Sequence, residues 1–477
     1  MTTDTALEFA TIAELATAIR TGAASPVKLA ELYLERIATL DKRLHAFIEV
    51  TRDRALAEAR AAESLLRAGH DRGALHGIPY AVKDLYDVKG LPTTGGTRLL
   101  AGNIAAQDCH AVRRLAGAGM VLLGKTHTVQ FAFGGVGINH DHGTPHNPWS
   151  ATALAPGGSS SGSGVAVGAA LAPAALGTDT GGSVRIPAAL CGTVGLKTTV
   201  GRIGRSGVYP LSWTLDSVGP LTRSVEDAAL LYQALQGEDL ADDSTRHVPP
   251  HDVLPDLKAG VKGLRIAFGE TLFFDDVDAE VAAAVREAGN VFRGLGAAVD
   301  GVAIPEAAEA MAEQRRASMI AAEALVVNGR LMDQHFDALD PVVAQRMNLG
   351  RGFAASDYVA VLRQWAELRA RVSRTLAHVD AVLVPATMIP PRPVAALDAT
   401  AETYGDANMR YLRNTAVGNI LGLCAVVVPG GFTRDGLPIG LMIYAKAFDE
   451  ATALRVAWAY EQATPWRERR PDLAWAR

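Results

Sequence analysis

The chain has 477 residues, 49% of them hydrophobic and 20% charged, with a formal net charge of -5, which describes a globular protein with a sizeable core and argues against a generic nucleic-acid binder, since that needs a basic face. Cys109, Cys191 and Cys424 are scattered and odd in number, so they suggest neither a disulfide framework nor a metal site and fit a reducing compartment. The first residues, MTTDTALEFATIAEL, lack the basic and apolar regions of a signal peptide, and the longest apolar run, which contains Pro173, falls short of the ~20 residues of a membrane span.

Thr11 to Leu40 reads as helix, broken in two at Gly22, with Ser25 as the cap of the second half and Pro26 as its first residue. Ser25 and Lys28 also match a Ser-x-x-Lys motif, but its companion motifs are missing, so Ser25 is read as a cap. Thr51–Ala68 is an Ala-rich amphipathic helix. Ile78 to Val82 predicts a buried strand with Lys83 at or just past its end. On local pattern alone a surface lysine paired with Asp84 or Asp87 is the better reading, and only the serine knots further on favour a buried one. Cys109 to Leu123 reads as helix then strand. Four histidines follow: His127, His140, His142 and His146. No familiar metal spacing is completed around them, although Asp141 lies between two, so they are read as pocket-lining or turn residues.

The stretch from Ala155 to Lys197 organises the rest. Two glycine-and-serine knots, Gly157–Gly164 and Gly177–Ser183, flank a run of small apolar residues. Each knot can present backbone N–H groups and a hydroxyl at close range. Val165 to Leu176 predicts a short buried helix, ended or kinked by Pro173, that holds the two loops a fixed distance apart. Turn-rich strands follow, then a helix capped by Ser224 with Asp227 at its third position, and a polar excursion from Gln236 to Asp256. Strands are expected at Gly263–Gly269 and Ala297–Ile304, around a helix at Asp278–Leu295. Glu306 to Ala370 is largely helical. Ala381–Pro385 and Cys424–Pro429 are short buried strands, and a strand and an amphipathic helix close the chain. This alternation predicts a wound α/β sheet.

Two nucleophiles are on offer. Gly158 to Gly162 match Gly-x-Ser-x-Gly, with Ser160 at the centre, but the preceding NPWSATALAP is loop-like where that motif needs a strand. The knot GTDTGGSVR is better built for attack. Gly181 and Gly182 let the backbone approach a ligand, successive N–H groups from Thr180 to Ser183 can converge on one oxygen, and Ser183 lies where a nucleophile should. A base is still needed. Lys83 could serve if buried, because desolvation leaves a neutral amine.

The blocks GIPYAVKDLYDVKGLPTTGGT, PGGSSSGSGVAVGAA and LGTDTGGSVRIPAALCGTVGLKTT resemble the amidase signature family of serine hydrolases. The resemblance runs through nearly the whole chain and is weakest from about Gly237 to Val379. It implies an α/β amidase signature fold with a large mixed central sheet covered by helices on both faces. One domain is expected over 1–477: a core at 70–235, a variable, largely helical region at 236–380, and a return to the core at 381–477. The resemblance also implies a triad of Ser183 as nucleophile, Ser159 as a cis-serine after Gly158, and Lys83. It implies an oxyanion hole from the N–H groups of Thr180, Gly181, Gly182 and Ser183, and an Asp179–Arg185 ion pair that braces the loops. Lys83 would take a proton through Ser159 from Ser183, the acyl-enzyme would be hydrolysed by the same relay, and no metal or organic cofactor is needed.

Departures from the family pattern bear on substrate. Where the family often reads Lys-Thr-Asn-x-x-Glu-Phe, this chain reads KTHTVQF, so His127 and Gln130, with Trp213, are expected to shape the pocket. YPLSWTLDSVGP looks more like stand-alone amidases than the glutaminase component of glutamyl-tRNA amidotransferase, and Ser356–Arg374 lacks the tyrosine-rich stretch of that component. The expectation is a cytoplasmic amidase that cleaves a non-peptide amide, hydrazide or carbamate of a small molecule. No nucleic-acid or membrane partner is expected, and a homodimer is left open. The alternative is the glutaminase component itself.

Overall fold

The computed structural model describes residues 7–313 and 315–477. Among them, eleven strands form one mixed sheet. In chain order these are β1 (Phe47–Val50), β2 (Pro79–Lys83), β3 (Val121–Thr126), β4 (Ala174–Asp179), β5 (Val194–Lys197), β6 (Ser217–Thr222), β7 (Arg265–Gly269), β8 (Ala298–Val302), β9 (Ala381–Pro385), β10 (Cys424–Phe432) and β11 (Pro438–Ala445). Across the sheet the order is β1-β3-β2-β4-β6-β5-β10-β11-β9-β7-β8. The strands β3, β2 and β4 run parallel, as do β9, β7 and β8, and an antiparallel block joins the two groups. Every residue of β2, β3, β4 and β6 is buried, so helices cover both faces at the centre of the sheet.

Local chemistry sets several helix ends where the sequence places them. Ser25 caps the helix Pro26–Leu44 by accepting from the Lys28 N–H at 3.3 Å. Ser224 caps Val225–Leu235 by accepting from Asp227 N–H at 3.2 Å. The element between the two knots differs from expectation. The helix is Ser161–Gly168, so it begins inside the first knot, and Pro173 precedes β4 instead of ending a helix at Leu176. The reason is close packing. A Cβ on Gly162 would strike the backbone of Ala46 and His127, and one on Gly164 would lie 2.8 Å from Pro187. The glycines and serines that resemble a flexible knot are there because this helix lies tight against β2, β3, β4 and the helix Arg185–Cys191.

A second element has no counterpart in the sequence pattern. Ala401–Ile420 forms a 20-residue helix. Its buried positions mix Tyr404, Ala407, Tyr411 and Val417 with Asn408, Asn414, Thr415 and Asn419, so polar residues interrupt the apolar stripe of its inward face. Those side chains bond to backbone and to other polar groups in the core: Asn414 Nδ2 donates to the carbonyls of Phe273 and Pro385 at 2.8 and 2.9 Å.

Candidate active site

The parallel register of β2 and β4 pairs Ala81 with Ala175 and Val82 with Leu176. Lys83 and Thr178 therefore emerge side by side at the carboxyl ends of adjacent parallel strands, the usual position for sites on such sheets. Lys83 is fully buried. Its Nζ lies 2.7 Å from Ser159 Oγ and 2.8 Å from Thr178 Oγ1. Burial pulls its pKa down to about 7, against the weaker opposing pull of Asp216 and Asp179. The surface-lysine alternative is thereby closed: Asp84 pairs with buried Lys125 at 2.6 Å, and Asp87 takes the Thr93 hydroxyl at 2.7 Å.

The Gly158–Ser159 peptide bond is cis. The first knot is held by its backbone: Gly158 N–H donates to Gly135 O at 2.9 Å, and Val129 N–H to Ser159 O at 3.1 Å. A bond from Ser160 N–H to Ser183 O, 3.2 Å, ties it to the second knot. Ser160 Oγ is turned into the core against the Thr178 backbone.

The second knot is braced by a buried ion pair. Arg185 donates to both carboxylate oxygens of Asp179, at 3.0 and 2.9 Å, and Asn419 and Val184 N–H complete the shell. Burial would raise the Asp179 carboxyl, but Arg185 beside it outweighs this and holds it at about 2. Gly182 has φ +138°, and a Cβ there would strike Thr415. Thr415 Oγ1 donates to Gly181 O at 2.7 Å, which turns the Gly182 N–H of the same planar peptide to the opposite side. Among the described residues, the N–H groups of Thr180, Gly181, Gly182 and Ser183 have no acceptor. Thr180 Oγ1 donates to Asp216 at 2.5 Å.

Thr180, Gly181 and Ser183 form one end of a cavity of about 370 Å³. Its walls come from distant parts of the chain. Phe133 and Leu211 belong to one small apolar cluster, and Tyr404 and Leu412 to another. Arg316 and Arg346 also line it.

The three residues expected to shape the pocket lie elsewhere. His127 is buried edge-on to His45 and His142, and burial with these neighbours pushes it down to about 3. Gln130 is buried and accepts from Asp340 N–H at 3.0 Å, so it supports the helix Pro341–Asn348 from behind. Trp213, 48% exposed, borders a separate cavity of about 190 Å³ on the Thr178 and Asp216 side. The contrast between family and chain at KTHTVQF therefore marks packing behind the cavity. His140 acts as a clamp. Its Nδ1 and Nε2 lie 2.6 Å from Asp340 and 2.8 Å from Asp398, and these hydrogen bonds raise its pKa to about 9. It ties the N-cap of Pro341–Asn348 to the turn that precedes Ala401–Ile420, and both helices wall the cavity. Among the described residues, no three His, Cys, Asp or Glu side chains gather as metal ligands.

Thr178 was missed by sequence reasoning. Its signal was its place, a hydroxyl near the carboxyl end of the small, apolar strand AALGTD. Asp216 and the two arginines carried no comparable local signal.

Comparison with known proteins gives the family and the fold. A family model described as Amidase matches residues 28–454. The chain is 36% identical to the glutamyl-tRNA(Gln) amidotransferase A-chain component of Gloeobacter violaceus, over 97% of this chain and 98% of the other. It is 37% identical to an amidase of Pseudomonas putida, over 97% and 98%. The solved structure of native peptide amidase from Stenotrophomonas maltophilia superposes with a TM-score of 0.83 at 31% identity, covering 97% and 98%. No helix of the described residues is long and apolar enough to cross a membrane.

Proposed function

The chain belongs to the amidase family, and from that premise we propose a partner-independent amidase that hydrolyses a small-molecule carbon–nitrogen bond through an acyl-enzyme on Ser183. The observation that carries this reading is the buried Lys83–Ser159 contact of 2.7 Å, with the lysine held near neutrality. A neutral Lys83 accepts the Ser159 hydroxyl proton while Ser159 takes the proton of Ser183. The Ser183 Oγ attacks the amide carbonyl. The oxyanion settles on the N–H groups of Thr180 to Ser183, whose freedom from other acceptors supports this role, each donor being worth about 3 kcal/mol of barrier. The C–N bond breaks as Ser159 returns a proton to the leaving nitrogen. Water, deprotonated by the same relay, then releases the acid. Thr178 orients the lysine by accepting its second N–H bond.

Free, buried cysteines support a reducing compartment, the cytoplasm. A second reading has a specific support, the 36% identity to an amidotransferase component. In that reading the chain is a glutaminase that works with partner proteins. Assaying the purified chain alone against glutamine and a panel of aryl and alkyl amides separates the two. Hydrolysis of simple amides without partners supports the first; activity only on glutamine, and only with added partner proteins, supports the second.

A further inference from the structure

The cavity beside Ser183 is lined by two guanidinium groups and by no carboxylate. Arg316 begins the helix Arg316–His335, and Arg346 lies in Pro341–Asn348. Their neighbour Arg315 is already matched, with Glu313 at 3.0 Å and Asp357 at 3.2 Å. Among the described residues no such carboxylate faces either cavity arginine. Arg346 Nη1 donates to Phe133 O at 2.7 Å, and its guanidinium lies 4.4 Å over the Phe133 ring. Those contacts aim the fork and bring no negative charge. Burial, then the charge of Arg346, pulls Arg316 down to about 10, so the two cations act on one another. A guanidinium stays protonated at any working pH, and two in one cavity remain uncompensated until an anion enters.

We propose that Arg316 and Arg346 form an anion subsite, so that the substrate is an amide bearing a carboxylate and no ammonium group beside it. This rests on the amidase reading of the same cavity. A carboxylate matches the planar guanidinium fork and offers oxygens to both arginines. An ammonium would meet two positive charges and no acid. Glutamine, which carries both groups, is then a poorer ligand than the same molecule without its amino group. Monoamides of short dicarboxylic acids have the required chemistry, and about 370 Å³ accommodates them.

The test uses the full chain as Ser183→Ala, so that nothing turns over. Calorimetry compares malonamate, succinamate, glutaramate and adipamate, each with the neutral amide that has a methyl in place of the carboxylate, and glutamine with glutaramate. At least one monoamide is expected to bind about tenfold or more tighter than its neutral counterpart, glutaramate tighter than glutamine, and the preference to vanish in Ser183→Ala/Arg316→Leu. Arg346→Lys, which keeps the charge but loses the fork, retains part of the preference, and a thermal melt confirms that each variant is folded. If no monoamide outbinds its neutral counterpart, or if the preference survives Arg316→Leu, the subsite is overturned. Wild-type hydrolysis of the same compounds separates the two claims. Turnover without anion preference removes the subsite and leaves the amidase; anion-selective binding with no amide turned over supports the subsite and removes the amidase.

Discussion

Lys83 Nζ lies 2.7 Å from Ser159 Oγ, although 76 residues of chain separate them. The contact is closed to water on all sides, and burial leaves the lysine with a pKa of about 7. Such a group works as a base only where it is unprotonated. The value of kcat/KM should therefore rise with pH and level off above about 7, and Lys83→Met should lower kcat by about 10³-fold or more at every pH. Initial rates across the pH range check both. A flat profile through neutrality would count against the assignment.

Gly182 should not tolerate a side chain. Its φ of +138° and the nearby Thr415 mean that Gly182→Ala must displace the knot. Misplacing one oxyanion donor costs about 10²- to 10³-fold in kcat. The variant should melt within a few degrees of wild type and lose that much turnover.

The Asp179–Arg185 pair should matter chiefly for stability. Asp179→Asn leaves a buried guanidinium without its counter-charge, a loss of about 3–5 kcal/mol. Asp179 is held at about 2 in the fold, below its ordinary 3.8, so its contribution is present above that ordinary value and fades as pH falls through about 2. Thermal melting at neutral pH gives the first figure. A shift within a degree of wild type would contradict it.

What the sequence disclosed follows from how far apart the contributing residues are. Ser183 stands out in its own glycine-rich knot, Ser159, Asp179 and Arg185 are marked by the resemblance of their short blocks to a known family, and Lys83 ends a strand of unmistakable apolar character. The cavity walls could not be read this way. Phe133, Arg316, Arg346 and Tyr404 meet only through the tertiary fold, and the helix that carries Tyr404 hides its buried face behind Asn408, Asn414 and Asn419. The same glycines that suggested a loop at Ser161–Gly164 belong to a helix, because close packing and flexibility ask for the same residue.

His140 supplies a stability term of opposite sign to that of Asp179. Bonds to Asp340 and Asp398 raise its pKa to about 9 from an ordinary 6.5. Its contribution is fully present below 6.5 and lost as pH rises through about 9. The melting temperatures of wild type and His140→Gln should differ at mildly acidic pH and converge as pH climbs past about 9. A difference that stays constant with pH would show that the clamp does not depend on the imidazolium charge.

The central claim, that Ser183 carries the acyl group, is tested most directly by intact and peptide mass spectrometry after reaction with an aryl fluorophosphonate, alongside the turnover of Ser183→Ala. One adduct on the peptide containing Ser183, and loss of about 10⁴-fold or more in kcat for Ser183→Ala with its fold preserved, is the predicted result. An adduct on Ser160, or near-normal turnover by Ser183→Ala, would contradict it.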